Sequence, residues 1–273
     1  MTGRPQATST ARTDPAAERR PGGVQSLDRA FDLLELMAAT EGGVGLSQLA
    51  ATSGLPVPTI HRIVRTLVSS GYVLQLPSRR YALGPRLIGL GARATTTLDA
   101  WARPHLAALA ERTEETANMA MLDGDMVVYV AQVPPLRHTM RMFTEVGRRV
   151  FAHCTGVGKA LLAQLPEDTA RDLVLTAGMP AQTDRTITDL DVFAGELRRI
   201  RQQGYAVDDG EQERGVRCVA VPIPGSPTIA VSVSGPAGRL TPESLPQLVP
   251  VLMSAADDLA RRPDRHTASG SRD

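Results

Sequence analysis

The sequence predicts an α+β chain with two domains, and three observations support that prediction. The chain has 273 residues, nearly twice the roughly 150 residues of an average domain. Its first part has the pattern of three helices followed by a hairpin, whereas residues 99–263 mix strands and helices without strict alternation. Such mixing favours an antiparallel sheet with flanking helices. We therefore expect a small N-terminal domain (24–84), a linker helix (85–98) and a larger C-terminal domain (99–263).

Composition excludes several classes of protein. Lys+Arg (30) and Asp+Glu (29) nearly cancel, which excludes a uniformly basic DNA-coating protein and an acidic solvating chain. No stretch reaches the roughly 18 uncharged apolar residues of a membrane span, and residues 1–23 lack the apolar centre of a secretory signal. Two cysteines make no disulfide framework, so we expect a cytoplasmic protein with no membrane partner. Residues 1–23 and 264–273 are predicted to be disordered tails.

The first N-terminal elements follow from caps, glycines and apolar spacing. An amphipathic helix is predicted to begin with Ser26 as its N-cap and to stop at Gly42 and Gly43. Ser47 can cap a short second helix, and Gly54 supplies the sharp turn after it.

A third helix is predicted to begin at Pro56 and Pro58, since proline suits the first helical turn. One face is apolar, with Ile60, Ile63, Val64, Leu67 and Val68 at helical spacing. The other face carries Thr59, His61, Arg62, Arg65, Thr66 and Ser69. Gly71 ends the helix, and residues 72–84 predict a hairpin with residues 77–80 at its tip.

This order of elements is typical of a winged helix-turn-helix that binds double-stranded DNA. An apolar stripe alone would indicate only core packing. The opposite face favours DNA, because the chain has six arginines and no acidic residue between Gly42 and Leu98, and a carboxylate there would face phosphate. The candidate DNA contacts are Ser47, Pro58, Thr59, His61, Arg62, Arg65, Arg79 and Arg80.

The C-terminal domain is predicted to begin with an amphipathic helix from Trp101 to Arg112. Two strands surround an Asp123-Gly124-Asp125 turn, and residues 138–143 alternate as a further strand. Helices are predicted at 156–165, 167–176 and 189–203. Closing strands lie within 204–223 and 228–236, before a final helix over 241–262.

Together these stretches resemble the IclR family of bacterial transcription regulators, over residues 24–263. The matching segments are VQSLDRAFDLLELM, GLPVPTIHRIVRTLVSSGYV, RRYALGPRLIGLG, HCTGVGKALLA, GYAVDDGEQERGVRCVAVPI and AVSVSGP. The resemblance implies a winged helix-turn-helix, a linker helix and a GAF-like effector-binding domain. It also implies a homodimer or homotetramer, without a cofactor, that represses a catabolic operon at a pseudo-palindromic operator. A small organic acid would be the effector, with glyoxylate or a purine-breakdown product such as allantoin ahead of aromatic acids.

The segment HCTGVGKALLA is a turn that leads into a helix, where free N–H groups can bind an anion. Gly156 and Val157 are the candidate carboxylate binders, since Gly156 allows close approach; Val157 departs from the family's commoner alanine, which narrows the space. A phosphate-binding loop would need glycine at position 153 and Ser or Thr at position 160, where this chain has His153 and Ala160.

The resemblance completes the candidate effector site with Asp208, Cys218, Ser232 and Ser234. The two serines alternate with valines, so they share one face of a strand, although serines on a strand also commonly face solvent. Met140 and Met142 share a face in the same way and are candidates for an apolar wall of the pocket.

Other chemistries are weaker in the sequence. Cys154 and Cys218 lack the short ligand spacing of a zinc site, and no basic residue close to Cys218 in sequence would activate it as a nucleophile. The acidic run over 208–213 is typical of a solvated loop. The alternative to a regulator is an enzyme that acts on a small acid through residues 99–273, and turnover by that part of the chain would distinguish the two.

Overall fold

The computed structural model describes residues 24–135 and 145–261. The chain separates into two compact units, with the division between Ala92 and Arg93. The two predicted tails and the predicted strand at 138–143 lie outside the described residues.

The first unit contains three helices and an antiparallel hairpin. In chain order they are α1 (Gln25–Ala38), α2 (Leu46–Ser53), α3 (Val57–Ser69), β1 (Val73–Gln75) and β2 (Tyr81–Leu83). The predicted apolar stripes form their core, in which Leu33, Leu49, Ile60, Val64 and Val73 are almost fully buried. The order of elements and their packing confirm the predicted winged helix-turn-helix.

The turn between α2 and α3 depends on a glycine. Gly54 has a φ of 68°, in the left-handed region where a Cβ is strained. Its N–H donates to the carbonyl of Ala50, which ends α2. Pro56 then occupies the N-cap position of α3, and Pro58 lies in its first turn.

The predicted limits of α1 are too late at both ends. The helix begins before Ser26, and Val24 is its N-cap residue. The carbonyl of Val24 accepts the N–H of Leu27 (2.8 Å), so a backbone bond replaces the predicted serine cap. The helix also ends at Ala38, short of Gly42 and Gly43.

Ser47 is not an N-cap either. It lies inside α2, and Gly45 occupies the N-cap position without a side-chain bond. The reason is a backbone bridge in which Val44 and Tyr81 exchange two N–H···O bonds of 2.8 Å each. This bridge holds the chain extended up to Val44, so the helix begins almost at once after it.

One continuous helix, α4 (Arg86–Thr113), replaces two predicted elements. The sequence predicts a linker helix over 85–98 and a separate helix from Trp101. Gly89 and Gly91 do not adopt the left-handed conformation, so neither ends the helix as a C-terminal glycine would. Pro104 is also accommodated inside it.

The second unit is built on a six-stranded antiparallel sheet with the strand order β5-β4-β3-β8-β7-β6. The strands are β3 (Thr116–Asp123), β4 (Met126–Val133), β5 (Arg149–Phe151), β6 (Ala206–Asp209), β7 (Val216–Ile223) and β8 (Ser226–Pro236). The predicted turn joins β3 to β4, and Gly124 within it has a φ of 64°. The sequence does not predict β5, because three residues carry too little alternation.

Helices cover both faces of this sheet. They are α5 (Gly156–Leu162), α6 (Glu167–Ala177), α7 (Leu190–Gln203) and α8 (Leu245–Ala260). One sheet face packs on α4 and α8, around Val231 and Leu252. The other packs on α5, α6 and α7, around Leu161, Phe193 and Ala220. This arrangement confirms the predicted antiparallel sheet with flanking helices.

Two helices of this unit begin or end at residues other than those that the sequence predicts. α5 stops at Leu162, earlier than the predicted 165. The final helix is predicted over 241–262, but a 3-10 turn (Pro242–Ser244) precedes α8, because the prolines at its start restrict the first turn.

Candidate functional sites

The predicted DNA contacts of α3 lie on its exposed face. His61, Arg62 and Arg65 are exposed, and Thr59 is half-buried. Neither arginine has a carboxylate partner among the residues that the structure describes. Two unpaired guanidinium groups on one helical face can bind phosphate oxygens or the acceptor edge of guanine.

The hairpin between β1 and β2 exposes two further arginines. Arg79 and Arg80 lie at its tip, where the N–H of Arg79 donates to the carbonyl of Leu76 (2.9 Å) and closes a tight turn. Arg79 has a φ of 61°, which is uncommon for a residue with a Cβ. A basic tip on a short wing is suited to the DNA backbone or the minor groove.

Ser47 and Pro58 are exposed near the starts of α2 and α3. Helix starts of this kind can donate backbone N–H groups to phosphate. Sequence reasoning missed Gln48, which is exposed beside Ser47 and carries an amide that can pair with the edge of adenine. Its place on the polar face of α2 is the signal that could have found it.

A row of polar side chains crosses the sheet face that packs on α5. The register places Asn118 on β3 opposite Ser232 on β8, Ser234 opposite Cys218 on β7, and Cys218 opposite Asp208 on β6. All five are buried, with 5% exposure or less. We call these five residues the polar row. It brings together four residues that the sequence predicts for the effector site, and both serines face the interior.

Sequence reasoning missed two amide side chains here. Asn118 Nδ2 donates to Ser234 Oγ (3.2 Å) and to Ser232 Oγ (3.4 Å). Gln132 on β4 donates from Nε2 to Asn118 Oδ1 (2.9 Å). Asn118 is the one polar residue in the apolar run 117–121, and a polar side chain in such a run is buried only with hydrogen-bond partners.

Asp208 is the ionisable member of the polar row. Burial raises the pKa of Asp208 to about 7, and the carboxylate of Glu211 adds to that rise. Its Oδ1 accepts the N–H groups of Glu211 (2.7 Å) and Gln212 (3.3 Å), and these bonds and the charge of Lys159 oppose the rise. Near neutral pH this carboxyl group can therefore either accept a hydrogen bond or donate one.

Lys159, the only lysine of the sequence, is fully buried on α5. Its Nζ donates to the carbonyl of Val207 (2.7 Å), to Glu196 on α7 (3.3 Å) and to Glu211. It thereby ties α5 to α7 and to the end of β6. Sequence reasoning missed this contact, although a single charge among the apolar residues of this helix is a visible signal.

The start of α5 packs directly on the sheet. A Cβ at Gly156 would lie 3.0 Å from Cys218 Sγ, so Cys218 fills the close approach that the sequence predicts at Gly156. Val157 is buried in the apolar core, and Thr155 caps the helix by accepting the N–H of Gly158 (3.3 Å). No acceptor among the described residues serves the N–H groups of Gly156 and Val157.

The two thiols are protonated at neutral pH. Burial raises the pKa of Cys218 to about 11 and that of Cys154 to about 12. A catalytic cysteine would need a lowered pKa instead. Burial also raises the pKa of Tyr129, and the nearby Cys218 and Asp208 add to that rise, so a neutral phenol lies near the polar row.

Met140 and Met142 lie outside the described residues. Within residues 24–135 and 145–261, no group of three or more His, Cys, Asp or Glu side chains is placed to hold a metal ion. None of the helices in that part of the chain is both long and apolar enough to cross a membrane.

Two family models match the chain. The model described as IclR helix-turn-helix domain matches residues 26–77, and the model described as bacterial transcriptional regulator IclR C-terminal matches residues 92–261. The two matches coincide closely with the winged helix-turn-helix and with the unit that holds the polar row.

Individual relatives agree with the family models. The transcriptional repressor IclR of Escherichia coli (strain K12) is 34% identical over 254 residues, which cover 90% of this chain and 93% of that protein. The solved IclR of Thermotoga maritima is 31% identical, with a TM-score of 0.61 over 87% of this chain and 98% of that one. An IclR homologue of Microbacterium hydrocarbonoxydans, solved in complex with 4-hydroxybenzoate, is 25% identical, with a TM-score of 0.66 over 86% of this chain and 97% of that one. These relatives favour a regulator over an enzyme, and the chain belongs to the IclR family of bacterial transcriptional regulators.

Proposed function

We propose that this protein represses a catabolic operon in the cytoplasm and that a small organic acid, bound at the polar row, modulates its affinity for the operator. Two relatives support the two halves of this proposal. The Escherichia coli relative is named a transcriptional repressor, and the Microbacterium relative was solved with an aromatic acid.

The observation that carries the proposal is the polar row itself. Four of its members, Asn118, Asp208, Ser232 and Ser234, are polar residues with 4% exposure or less, on a sheet face that otherwise packs on apolar side chains. Burying such groups costs free energy unless hydrogen bonds replace water. A small ligand that completes their hydrogen bonds would recover part of that cost.

The groups present suit a small acid. The serine hydroxyls and the N–H groups of Gly156 and Val157 can donate to a carboxylate. Asp208 would repel that carboxylate unless it is protonated or accepts a hydrogen bond from the ligand. A hydrated aldehyde or a ureido group supplies such a donor. Glyoxylate and allantoin are therefore our first candidates, ahead of plain fatty acids.

On the DNA side, α3 would enter the major groove and the arginines of the wing would contact the backbone or the minor groove. A single helix-turn-helix reads few base pairs, so we propose that two copies bind a pseudo-palindromic operator. Leu27 and Phe31 lie one turn apart on α1 and are 55% and 61% exposed. This apolar pair supports a contact with the second copy.

The test is release of the protein from DNA. Fragments from the region upstream of the gene would be bound by the full-length protein and titrated with glyoxylate, allantoin, pyruvate and 4-hydroxybenzoate. We expect one of these compounds to lower the DNA affinity at least about tenfold, which corresponds to about 1.4 kcal/mol of coupling. Saturable binding of all four without any change in DNA affinity would contradict the proposal.

A further inference from the structure

We propose that a cleft beside β6 binds a free α-amino acid with an apolar side chain, as a second ligand of this protein. There Glu211 accepts the ammonium group of the ligand, and Arg185 donates to its carboxylate. We call this place the β6 cleft. It is separate from the polar row, because Asp208 belongs to the row whereas Val207 and Asp209 on either side of it line the cleft, as the alternation of side chains along a strand requires. The inference therefore does not depend on the proposed function.

The β6 cleft has a volume of about 530 Å³ and lies between β6, α7 and the start of α8. Charged side chains of both signs line it, namely Arg185, Arg199, Arg217, Glu196, Asp209 and Glu211. Half-buried Ile187, Val207 and Leu245 give it an apolar part. Small-molecule sites commonly combine an apolar lining with a few polar groups that fix the orientation of the ligand. Groups of both signs suit a ligand that carries both charges.

Glu211 supplies the acceptor for the ammonium group. Its side chain is 8% exposed, and its Oε1 accepts Lys159 Nζ. Its Oε2 accepts no hydrogen bond from any residue that the structure describes, and a buried acceptor without a donor costs free energy. Burial raises the pKa of Glu211, Lys159 opposes that rise, and the carboxylates of Glu196 and Asp209 add to it. Glu211 thus lacks both a donor and positive charge, and an ammonium group supplies both.

Arg185 supplies the donors for the carboxylate. Arg199 and Arg217 each direct all three guanidinium nitrogens at protein acceptors. Arg185 uses only Nη1, which donates to the backbone carbonyl of Asp209 (3.2 Å) and to its Oδ2 (3.1 Å). Its Nε and Nη2 have no acceptor within residues 24–135 and 145–261. A guanidinium group presents such donors in a planar fork that matches a carboxylate.

The segments that carry these two groups pack directly on each other. Thr186 Oγ1 donates to the backbone carbonyl of Glu211 (2.7 Å), and a Cβ at Gly210 would lie 3.5 Å from Arg185 Cδ. One small ligand can therefore reach both groups. In an α-amino acid the ammonium and carboxylate groups are attached to the same carbon atom, so they suit a donor and an acceptor held this close. The side chain of the ligand then lies against the apolar part of the β6 cleft.

Calorimetry on the full-length protein would test each of the protein amino acids, and then the 2-hydroxy acid and the decarboxylated amine that match the strongest binder. We expect an amino acid with an apolar side chain to bind most tightly. It should bind at least about tenfold more tightly than either analogue, because each analogue lacks one set of charge-assisted hydrogen bonds. The inference is overturned if no amino acid binds, if the strongest binder has a charged side chain, or if either analogue binds as tightly.

Two variants assign the two groups of the ligand. Arg185→Gln should remove the preference for the amino acid over the amine, and Glu211→Gln should remove the preference over the hydroxy acid. Arg198→Gln is the matched control, since Arg198 is an exposed arginine of α7 that pairs with Glu167 and does not line the cleft. The Arg185 side chain is 61% exposed, so its variant should fold even if Glu211→Gln does not, and circular dichroism would confirm this. An unchanged Kd in Arg185→Gln, or an equal loss in Arg198→Gln, would show that the amino acid binds elsewhere.

Discussion

Replacing Asp208 by asparagine should make the second unit, which holds the polar row and which we call the effector unit, more stable at alkaline pH. Burial raises the pKa of Asp208 from 3.8 to about 7. Between these values the unfolded chain has lost the proton that the folded chain still holds, so stability falls as pH rises from about 4 to about 7. The asparagine side chain would carry no charge at any pH. Its oxygen can still accept the N–H groups of Glu211 and Gln212, which Asp208 accepts at 2.7 and 3.3 Å.

The magnitude follows from the size of the pKa rise. Three pH units at about 1.4 kcal/mol each set an upper limit of about 4 kcal/mol. The charges of Glu211 and Lys159 also act on Asp208 and would readjust in the variant, so we expect about 2–4 kcal/mol. At pH 4 the two proteins should differ much less, because Asp208 is then protonated in the folded protein and only partly ionised in the unfolded chain.

Urea unfolding at pH 4.5 and pH 8 would measure the effect. The only tryptophan of the sequence, Trp101, packs against the core of this unit, so its fluorescence reports the unfolding of that unit. Glu211 also has a raised pKa and adds pH dependence to both proteins. The quantity to compare is therefore the difference in the free energy of unfolding between the variant and the wild type at each pH. An equal difference at both pH values would show that Asp208 is ionised throughout and would refute the reasoning.

Further predictions concern the winged helix-turn-helix and the buried Lys159. Arg62→Ala or Arg65→Ala should weaken operator binding by about 1–3 kcal/mol where the side chain reads a base, and unchanged gel-shift affinity in both would remove α3 from the interface. Replacing Arg79 and Arg80 together by alanine should lower the slope of log affinity against log salt by about 2; an intact slope would contradict the role of the wing. Lys159→Met should destabilise the effector unit by about 3–5 kcal/mol, because Glu211 loses its buried partner. Adding Glu211→Gln should restore part of that loss in the same urea assay, and a double variant no more stable than the single one would argue against the ion pair. Gly54→Ala should cost the first unit about 1–2 kcal/mol in left-handed strain. Gly89→Ala, in a helix with open space around it, should cost nothing, and equal melting shifts in the two variants would refute the strain argument.

The order of the elements in the winged helix-turn-helix could be predicted from the sequence because its signals are local. The apolar stripe of α3, the glycine at position 54 and the acid-free basic face all appear within a few residues of one another. The errors at Ser26 and Ser47 arise where distant or backbone contacts decide. A bridge from Val44 to Tyr81 sets the start of α2, and no local cap rule contains that pairing.

In the effector unit, local signals predict most of the elements but not the candidate site. Most of the strands and helices were predictable from periodicity, with β5 as an exception, but the polar row depends on the register of four strands. Spacing along one strand places Ser232 and Ser234 on one face, yet it cannot place Asn118 and Gln132 beside them. The continuous helix α4 was missed because glycine and threonine are weak helix formers in isolation, and tertiary packing of its second half overrides that preference.

The most direct test of this account is a titration of effector into the protein–operator complex, with the wild type compared with Ser234→Ala and Asp208→Ala. The acid found to release the wild-type protein would be used, and circular dichroism would confirm that both variants fold. The account predicts that both variants bind the operator as tightly as the wild type without ligand and no longer respond to the acid. If both release the operator at the wild-type ligand concentration, the effector binds elsewhere and the polar row is not its site.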